Sequence, residues 1–322
     1  PRTLPFIVGK FSRTDFDPVF IIWCIITQSF TLGRIYLSIV SKMIIHFTLH
    51  YFLEISIKFI LCQFKNRPYC LSLFTIHLVK GCRLIFQKQI PYDTTYPKLP
   101  GTRPISPDEW LICDDAFAQQ MALRDELIDT KKDKVLAISE EAREAAVELA
   151  KMTLDFCISK LGYQKKYNKI IRPDEISVEI DLSEPMTFLG RLVQNDFCIL
   201  QKIDKEHVLT AAALCFPASW SLHEKFLKPL VSIHFPVKEY DENIAKRVQR
   251  LFDGLQINKP LWRFNALFYE DPNLFQPRRE NQPRRKPAPN KVNYFRSERQ
   301  TFIKLPKSGA IIFGIHTFVI HA

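Results

Sequence analysis

No alanine occurs before Ala116 in this chain of 322 residues, and Glu54 is the single glutamate of its first ninety. Alanine and glutamate are among the commonest residues of soluble domains, so residues 1–90 do not have the composition of an ordinary one. The eight cysteines (Cys24, Cys62, Cys70, Cys82, Cys113, Cys157, Cys198 and Cys215) include no C-x-x-C pair, and no Cys/His cluster has zinc spacing. That excludes a structural zinc or an iron–sulfur cluster held by this chain. No G-x-G-x-x-G opens a helix and no P-loop is present, so a dinucleotide-fuelled reaction would draw its electrons from elsewhere. Long apolar runs are missing too. Pro18–Gly33 is uncharged for 16 residues before Arg34 interrupts it, and Met43–Leu53 adds only 11. A spanning helix needs roughly 20.

What is present is unevenly spread. The chain is 47% hydrophobic and 25% charged, ordinary globular values, with a net charge of +11. Residues 1–90 hold 11 Lys+Arg against 3 Asp+Glu, and the remaining 232 hold 34 against 31. The basic excess therefore belongs to the extension, and the nearly neutral remainder does not read as a nucleic-acid binder. The extension itself carries 15 Ile and 11 Phe. Three readings compete for it: a membrane-associated segment, a targeting peptide, or translated A/T-rich non-coding sequence. The second is opposed by the lack of an initiator Met and of a small-residue cleavage site. Membrane association is expected only through this segment.

From residue 91 the texture is that of a domain. Pro91, Pro97, Pro100, Pro104 and Pro107 give an extended lead-in. A helix is expected over 108–128, capped by Ser106 or Asp108, and a second over Ser139–Leu161 with Ala145, Ala146 and Leu149 on its core face. Tyr163–Pro185 reads as polar loops with a short strand at Ser177–Ile180, and 186–193 as a lead into the next strand. A third helix is expected over Asp241–Leu255 and strands from Lys259, over Phe302–Leu305 and over Ala310–Ile320. Gln276–Lys291, rich in Pro and Arg, reads as a solvated loop or as a docking surface for an acidic redox partner.

The stretch that organises the domain runs from Leu189 to Val237. Phe197–Leu200 and Val208–Cys215 are apolar runs of strand length joined by the polar turn Lys202–Glu206, a β-hairpin. Cys198 and Cys215 fall inside these strands as buried thiols. A helical turn follows near Trp220, with Ser219 or Ser221 as its cap, and ends before Pro229. Then His234 sits among Ile233, Phe235 and Val237. Residue pattern alone leaves two readings of this histidine: a packed ring satisfied by backbone, or a ligand, since neutral imidazole is a common haem donor. His207 and His223 read as surface residues.

Five pieces in order decide between them: TRPISPDEWLICDDAFAQQMALRDELI (102–128), LVQNDFCILQK (192–202), LTAAALCFPASWSLHEKFLKPLVSIHFPV (209–237), LFDGLQINKPLWRFN (251–265) and YFRSERQTFIKLPKSGAIIFGIHTF (294–318). Together they resemble the haem-dependent oxidative N-demethylase family, the haem-binding subunits of dimethylamine-oxidising enzymes. The resemblance implies an α+β, PAS-like fold over 91–322: an antiparallel sheet with flanking helices, holding haem b. It implies an oxygen-dependent demethylation of a small secondary amine to a primary amine and formaldehyde. Electrons would come from NADPH through flavin and an iron–sulfur centre on a partner protein, none of them bound by this chain. His234, in the family's I-H-x-P-V motif, is implied as the haem ligand. Arg263, Arg296 and Arg299 are expected at the haem propionates, or else in structural ion pairs. Asp196 is implied as the catalytic carboxylate at the substrate, with Glu298 as the second.

Departures from the family pattern weaken the substrate side. Asn195 stands where Glu is expected, Ala266 where Trp is, Lys238 where Pro is, and His316 where Arg is common; the chain also stops short of the family's usual C-terminal helix. The leading expectation is a cytoplasmic haem oxidoreductase. The alternatives are a haem-based gas or redox sensor and a degraded, non-catalytic family member.

Overall fold

The computed structural model describes residues 84–95, 101–234, 242–283 and 293–322, with the side chains of His234 and of residues 242–245 outside the description. These residues belong to one compact unit, Cys82–Ala322. Most of the extension, including its two apolar runs, lies outside the described residues. Its last few positions do not: Ile85 is buried, and Gln87 exchanges hydrogen bonds with Val319, giving its N–H to the Val319 carbonyl at 3.0 Å. Its Oε1 accepts from the Val319 N–H at 2.8 Å.

The described residues form strands β1 (Arg103–Pro104), β2 (Leu136–Ile138), β3 (Gln164–Lys166), β4 (Lys169–Ile171), β5 (Ser177–Glu179), β6 (Asp196–Ile203), β7 (Glu206–Ala213), β8 (Leu261–Tyr269), β9 (Tyr294–Lys304) and β10 (Ile311–His321). Helices are α1 (Phe117–Thr130), α2 (Lys132–Val135), α3 (Arg143–Lys160), α4 (Pro185–Leu192), α5 (Leu222–Lys225), α6 (Leu230–His234) and α7 (Glu242–Asp253). The fold is α+β. Seven strands make one antiparallel sheet in the order β1-β8-β9-β10-β6-β7-β2, and β3-β4-β5 make a small second one.

The hairpin expected from the apolar runs is β6–β7, turned at Asp204, whose φ of 54° an aspartate tolerates. Phe197–Leu200 of β6 and Ala211–Ala213 of β7 are apolar and buried on both sides because both faces of the sheet are covered there. Phe197, Ile199, Ala211, Ala213, Ile303 and Ile312 lie in one core with Ala146 and Leu149 of α3 and Leu189 of α4. Cys198, Leu200, Ala212, Phe302, Ile311 and Ile315 lie in a second core with Leu222, Leu230 and Phe252. The period-2 alternation of strands assigns these two sets to opposite faces. The first is called the α3 face below and the second the α6 face.

Several expectations change. The helix over 108–128 is broken. Ser106 caps only a 3₁₀ turn at Pro107–Glu109, and α1 starts at Phe117, where the Asp114 carboxylate accepts from the Ala116 N–H at 2.9 Å. Tyr163–Pro185 carries the β3–β4–β5 sheet rather than loops alone. Residues 186–193 are mostly helical, with Pro185 at the first turn of α4 and Met186, Phe188, Leu189 and Leu192 buried. The helix near Trp220 shortens to α5, and Ser221 caps it without a bond to its backbone. The strand expected at Phe302 begins eight residues earlier, at Tyr294. The second and third helices stand essentially as expected, as α3 and α7.

Candidate functional site

The strand β9 carries RSERQ, and alternation sends its polar side chains to two faces. Ladder partners share a face in an antiparallel pair. Glu298 is opposite Asn265 of β8 and Thr317 of β10, and Gln300 is opposite Arg263 and Ile315. Arg296, Glu298 and Gln300 therefore form a polar row with Arg263, Asn265 and Thr317 on the α6 face. Arg299 points the other way.

This row is poorly satisfied. Glu298 is 8% exposed and receives one hydrogen bond, from Gln300 Nε2 at 3.2 Å, with Arg296 Nη2 at 3.7 Å. Burial raises its pKa; Arg296, Gln300 and Arg263 oppose the rise only in part. Arg296 donates to the carbonyls of Phe216 at 2.6 Å and Leu274 at 3.1 Å, and its Nε is buried without a partner. The Nε of Arg263 and the Oγ1 of Thr317 are likewise buried and unpartnered among the described residues. Burial lowers the pKa of Arg263, against the pull of Glu298. Orphaned buried polar atoms are rare in native proteins and call for an explanation. Here two guanidinium N–H groups suit an anion, a hydroxyl suits either partner, and a buried carboxylate suits a cation.

α6 packs over the same face. Leu230 lies in the core with Phe302 and Ile315, and Ile233 packs against it. His234 is the last residue of this helix. Its side chain, and Phe235 and Val237 of the expected apolar frame, lie outside the described residues. His207 is a correction: expected at the surface, it is 4% exposed on β7, where Nδ1 meets Gln249 Oε1 at 2.7 Å and the ring is edge-on to Phe252. It is buried because α7 covers that strand. His223 is exposed, as expected.

Asp196 is paired with Ile315, so it shares the α6 face, and its charge adds to the rise of the Glu298 pKa, but its own partners differ. Asp196 opens β6 and is fully buried. Its carboxylate accepts from Arg124 Nη1 at 2.6 Å and from the N–H groups of Cys215 at 2.7 Å and Phe216 at 2.8 Å. Arg124 also donates to the carbonyls of Gly190, Gln194 and Asn195 at 2.9, 3.1 and 3.0 Å. This pair ties α1, the end of α4 and the hairpin together. Asp196 is in a structural ion pair, and its cation is Arg124 rather than Arg263, Arg296 or Arg299. Arg124 was visible in the sequence as the cation in the apolar spacing Phe117, Met121, Arg124, Leu127, Ile128, all buried. Arg299, on the α3 face, donates to the Glu109 carbonyl at 2.5 Å and lies over Trp262. Alternation separates it from Arg263 and Arg296.

His316 is a neighbour of Arg299 in the ladder and fully buried. Its Nε2 meets Asp114 Oδ2 at 2.9 Å. Burial would raise the Asp114 pKa, but hydrogen bonds and charge from His316, with donors Gln194 and Gln87, hold it at about 2. Cys198 and Cys215 are buried free thiols, as expected, and burial pushes Cys215 up to about 12. Among the described residues no cluster of three or more His, Cys, Asp or Glu is arranged to hold a metal ion. No helix among them is long and apolar enough to cross a membrane. A cavity of ≈ 410 Å³ lined by Leu136, Ile138, Arg143, Glu184 and Met186 lies by β2, at the opposite edge of the sheet from β8.

A family model described as "Haem-dependent oxidative N-demethylase, alpha subunit-like" matches residues 101–322.

Proposed function

The chain belongs to the haem-dependent oxidative N-demethylase alpha-subunit-like family, and from that premise we propose that the α6 face of the sheet is its haem pocket. His234 would hold the haem iron, Arg263 and Arg296 would pair with the propionates, and Glu298 would meet a protonated small secondary amine. The observation that carries this reading is the row of buried, unpartnered atoms (Arg263 Nε, Arg296 Nε, Thr317 Oγ1) around a carboxylate with a raised pKa, on the same face of the sheet as the helix that ends in His234, which packs on β7. The donor set fits the group: guanidinium pairs bind carboxylates bidentately.

Haem bound there supplies the oxygen activation and electron chemistry that side chains lack. The chain supplies the rest. Leu230, Phe302, Ile311 and Ile315 line the face and exclude water. Glu298, destabilised as an anion by burial, is relieved by an ammonium and accepts its proton when the amine is to be oxidised. Asp196, which already accepts from Arg124 and two backbone amides, is less suited to this role than Glu298. Its part in the proposal is to hold the hairpin from which the site is built.

In full, the proposed reaction is the oxygen-dependent demethylation of a dimethylamine-like substrate to a primary amine and formaldehyde. Electrons come from NADPH through a flavin and iron–sulfur partner protein; the alpha-subunit family supports a further subunit. The domain spans 91–322 with the packed residues from Ile85 attached, and a cytoplasmic setting fits its free thiols.

The test is an absorption spectrum of the full chain purified with haem supplied, beside His234→Ala. A Soret band with a ferrous–CO shift, lost or altered in the variant, is the expected result; well-folded wild type without haem overturns the reading. Asn195 in place of glutamate, and an Asp196 saturated by its partners, favour one second reading, a haem-based sensor. Amine-dependent NADPH consumption with a reductase decides for the enzyme, and haem and oxygen binding without it decides for the sensor.

A further inference from the structure

Lys225 is out of place for a lysine. It ends α5 and is 6% exposed, although buried lysines are almost always held by a specific partner. Its Nζ donates to the carbonyl of Ile233 at 2.6 Å and pairs with Glu280 Oε1 at 2.5 Å. The carbonyl of Ile233 belongs to the residue just before His234, at the end of α6, where a helix leaves its carbonyls without intrahelical partners. An ammonium there satisfies one of them and fixes the direction in which the chain leaves the helix.

The surroundings are built to keep Lys225 in that place. The first half of the Pro/Arg-rich loop is largely exposed, as expected, but it is tied to α5 and the turn before it. The N–H of Ser219 donates to the Gln276 carbonyl at 3.0 Å, that of Gln276 to the Pro217 carbonyl at 3.2 Å, and Arg278 Nε to the Ser219 carbonyl at 3.2 Å. The Glu280 N–H points at both oxygens of Glu224, at 3.3 and 3.2 Å, and Glu224 in turn accepts from Ser221. Two non-glycine residues flank α5 in the left-handed region, Ser219 at φ 64° and Leu227 at φ 60°. Such backbone persists only where neighbours over-determine it. The Leu227 N–H donates to the Leu209 carbonyl of β7 at 2.8 Å, and the Lys228 N–H to that of Lys225 at 3.1 Å.

We propose that Lys225 is the positioning residue for His234: held by Glu280, it fixes the end of α6 through the Ile233 carbonyl, and so the backbone from which His234 would hold the haem iron. The assignment rests on the reading of His234 as haem ligand. It also gives the loop that begins at Gln276 a mechanical connection to the ligand helix, through Glu280.

The experiment uses the full chain with haem supplied and reads two quantities that activity does not enter. One is the iron–histidine stretching band of the ferrous protein, and the other is the rate of haem release to an excess of a haem-scavenging apoprotein. Lys225→Met keeps the stem and removes the donor; it is expected to shift or broaden the band and to speed release on the order of 10-fold, as loss of outer-shell partners does. Lys225→Arg, which keeps a donor, is expected to restore both toward wild type. Glu280→Gln is expected to move both in the same direction as Lys225→Met by a smaller amount, and it serves where Lys225→Met does not fold. The exposed Lys228→Met is the control and leaves both unchanged. A Lys225→Met or Glu280→Gln protein with the wild-type band and release rate overturns the assignment, as does a Lys225→Arg protein that loses as much as Lys225→Met. A lower melting temperature of the haem-free variants with unchanged haem readouts makes Lys225 merely structural, and overturns it too. Wild type without a Soret band sinks the haem reading itself, and this assignment with it; wild type with haem and an indifferent Lys225 sinks only the second.

Discussion

Two buried carboxylates a few residues from the middle of one sheet live in opposite circumstances. Asp196 has a guanidinium and two backbone N–H groups on it, and its arginine partner gathers three further carbonyls. Glu298 has one hydrogen bond and a distant guanidinium, among atoms that have no partner. A fold that buries a charge for its own stability surrounds it with donors. The Arg124–Asp196 cluster does that, and it closes a joint between α1, α4 and the hairpin. The row around Glu298 does not, and that contrast is what the proposed site rests on.

The largest effect expected from that contrast is at Arg124. Arg124→Met leaves Asp196 as an unpaired buried charge and frees three carbonyls, which is expected to cost about 3–5 kcal/mol, a large part of the roughly 5–15 kcal/mol that holds a domain folded. Urea unfolding measures it. Glu298→Gln, by the same measurement at pH 8, is expected to change stability by no more than about 1 kcal/mol or to raise it. Equal losses at the two positions would break the distinction between joint and site.

The next effect is a pair of opposed pH slopes. Burial puts the folded-state pKa of Glu298 above its unfolded value near 4.5, so the fold prefers the neutral acid. Its contribution to stability is complete below that value and is lost as the pH rises through the folded pKa. The advantage of Glu298→Gln over wild type is therefore expected to grow as the pH increases from 4.5. Asp114 runs the other way. Its pKa of about 2 lies below the unfolded 3.8, so its contribution is present above 3.8 and disappears as the pH falls through 2. The deficit of Asp114→Asn is expected to shrink over that acid range, in unfolding curves taken at successive pH values. Two deficits with the same slope would show that Glu298 is held like Asp114, by its partners.

How much of this could be read beforehand depends on what kind of signal each part sends. The β6–β7 hairpin was legible because strands covered on both faces are uninterrupted apolar runs, and α3 was legible because its alanines and leucines recur at helical spacing. β9 was legible only at its apolar end. From Tyr294 to Thr301 the side chains are mainly polar, yet Arg296 to Thr301 are buried, and polarity in a sequence does not announce burial. Had the β9–β10 turn at Lys307–Gly309 been extended backward in register, Glu298 would have fallen opposite Thr317. The same alternation would have parted Arg299 from Arg263 and Arg296. The Asp196 partner was hidden for a different reason: Arg124 lies 72 residues away, and long-range pairing leaves no local pattern. α4 was missed because a helix of eight residues with a glycine in it looks like a lead-in.

The smallest effect is the one that tests the open row most directly. The Arg263 Nε is buried without a partner, and burial already lowers the pKa of its guanidinium. In the haem-free protein this arginine is a cost, relieved only by the nearby charge of Glu298. Arg263→Met removes the orphaned donor and keeps much of the apolar stem, so it is expected to leave stability unchanged or raise it by about 1 kcal/mol. If the guanidinium is there for a propionate, the same substitution weakens haem binding, by roughly the 1.5–3 kcal/mol of a charge-assisted hydrogen bond. Unfolding curves of haem-free protein and a haem titration, run on one preparation, separate the two effects. A residue that is neutral to the fold and needed by the ligand gives opposite signs in the two measurements. If Arg263→Met loses stability without haem and keeps its haem affinity, Arg263 belongs with Arg124 as part of the framework, and the open row shrinks to Arg296, Glu298 and Thr317.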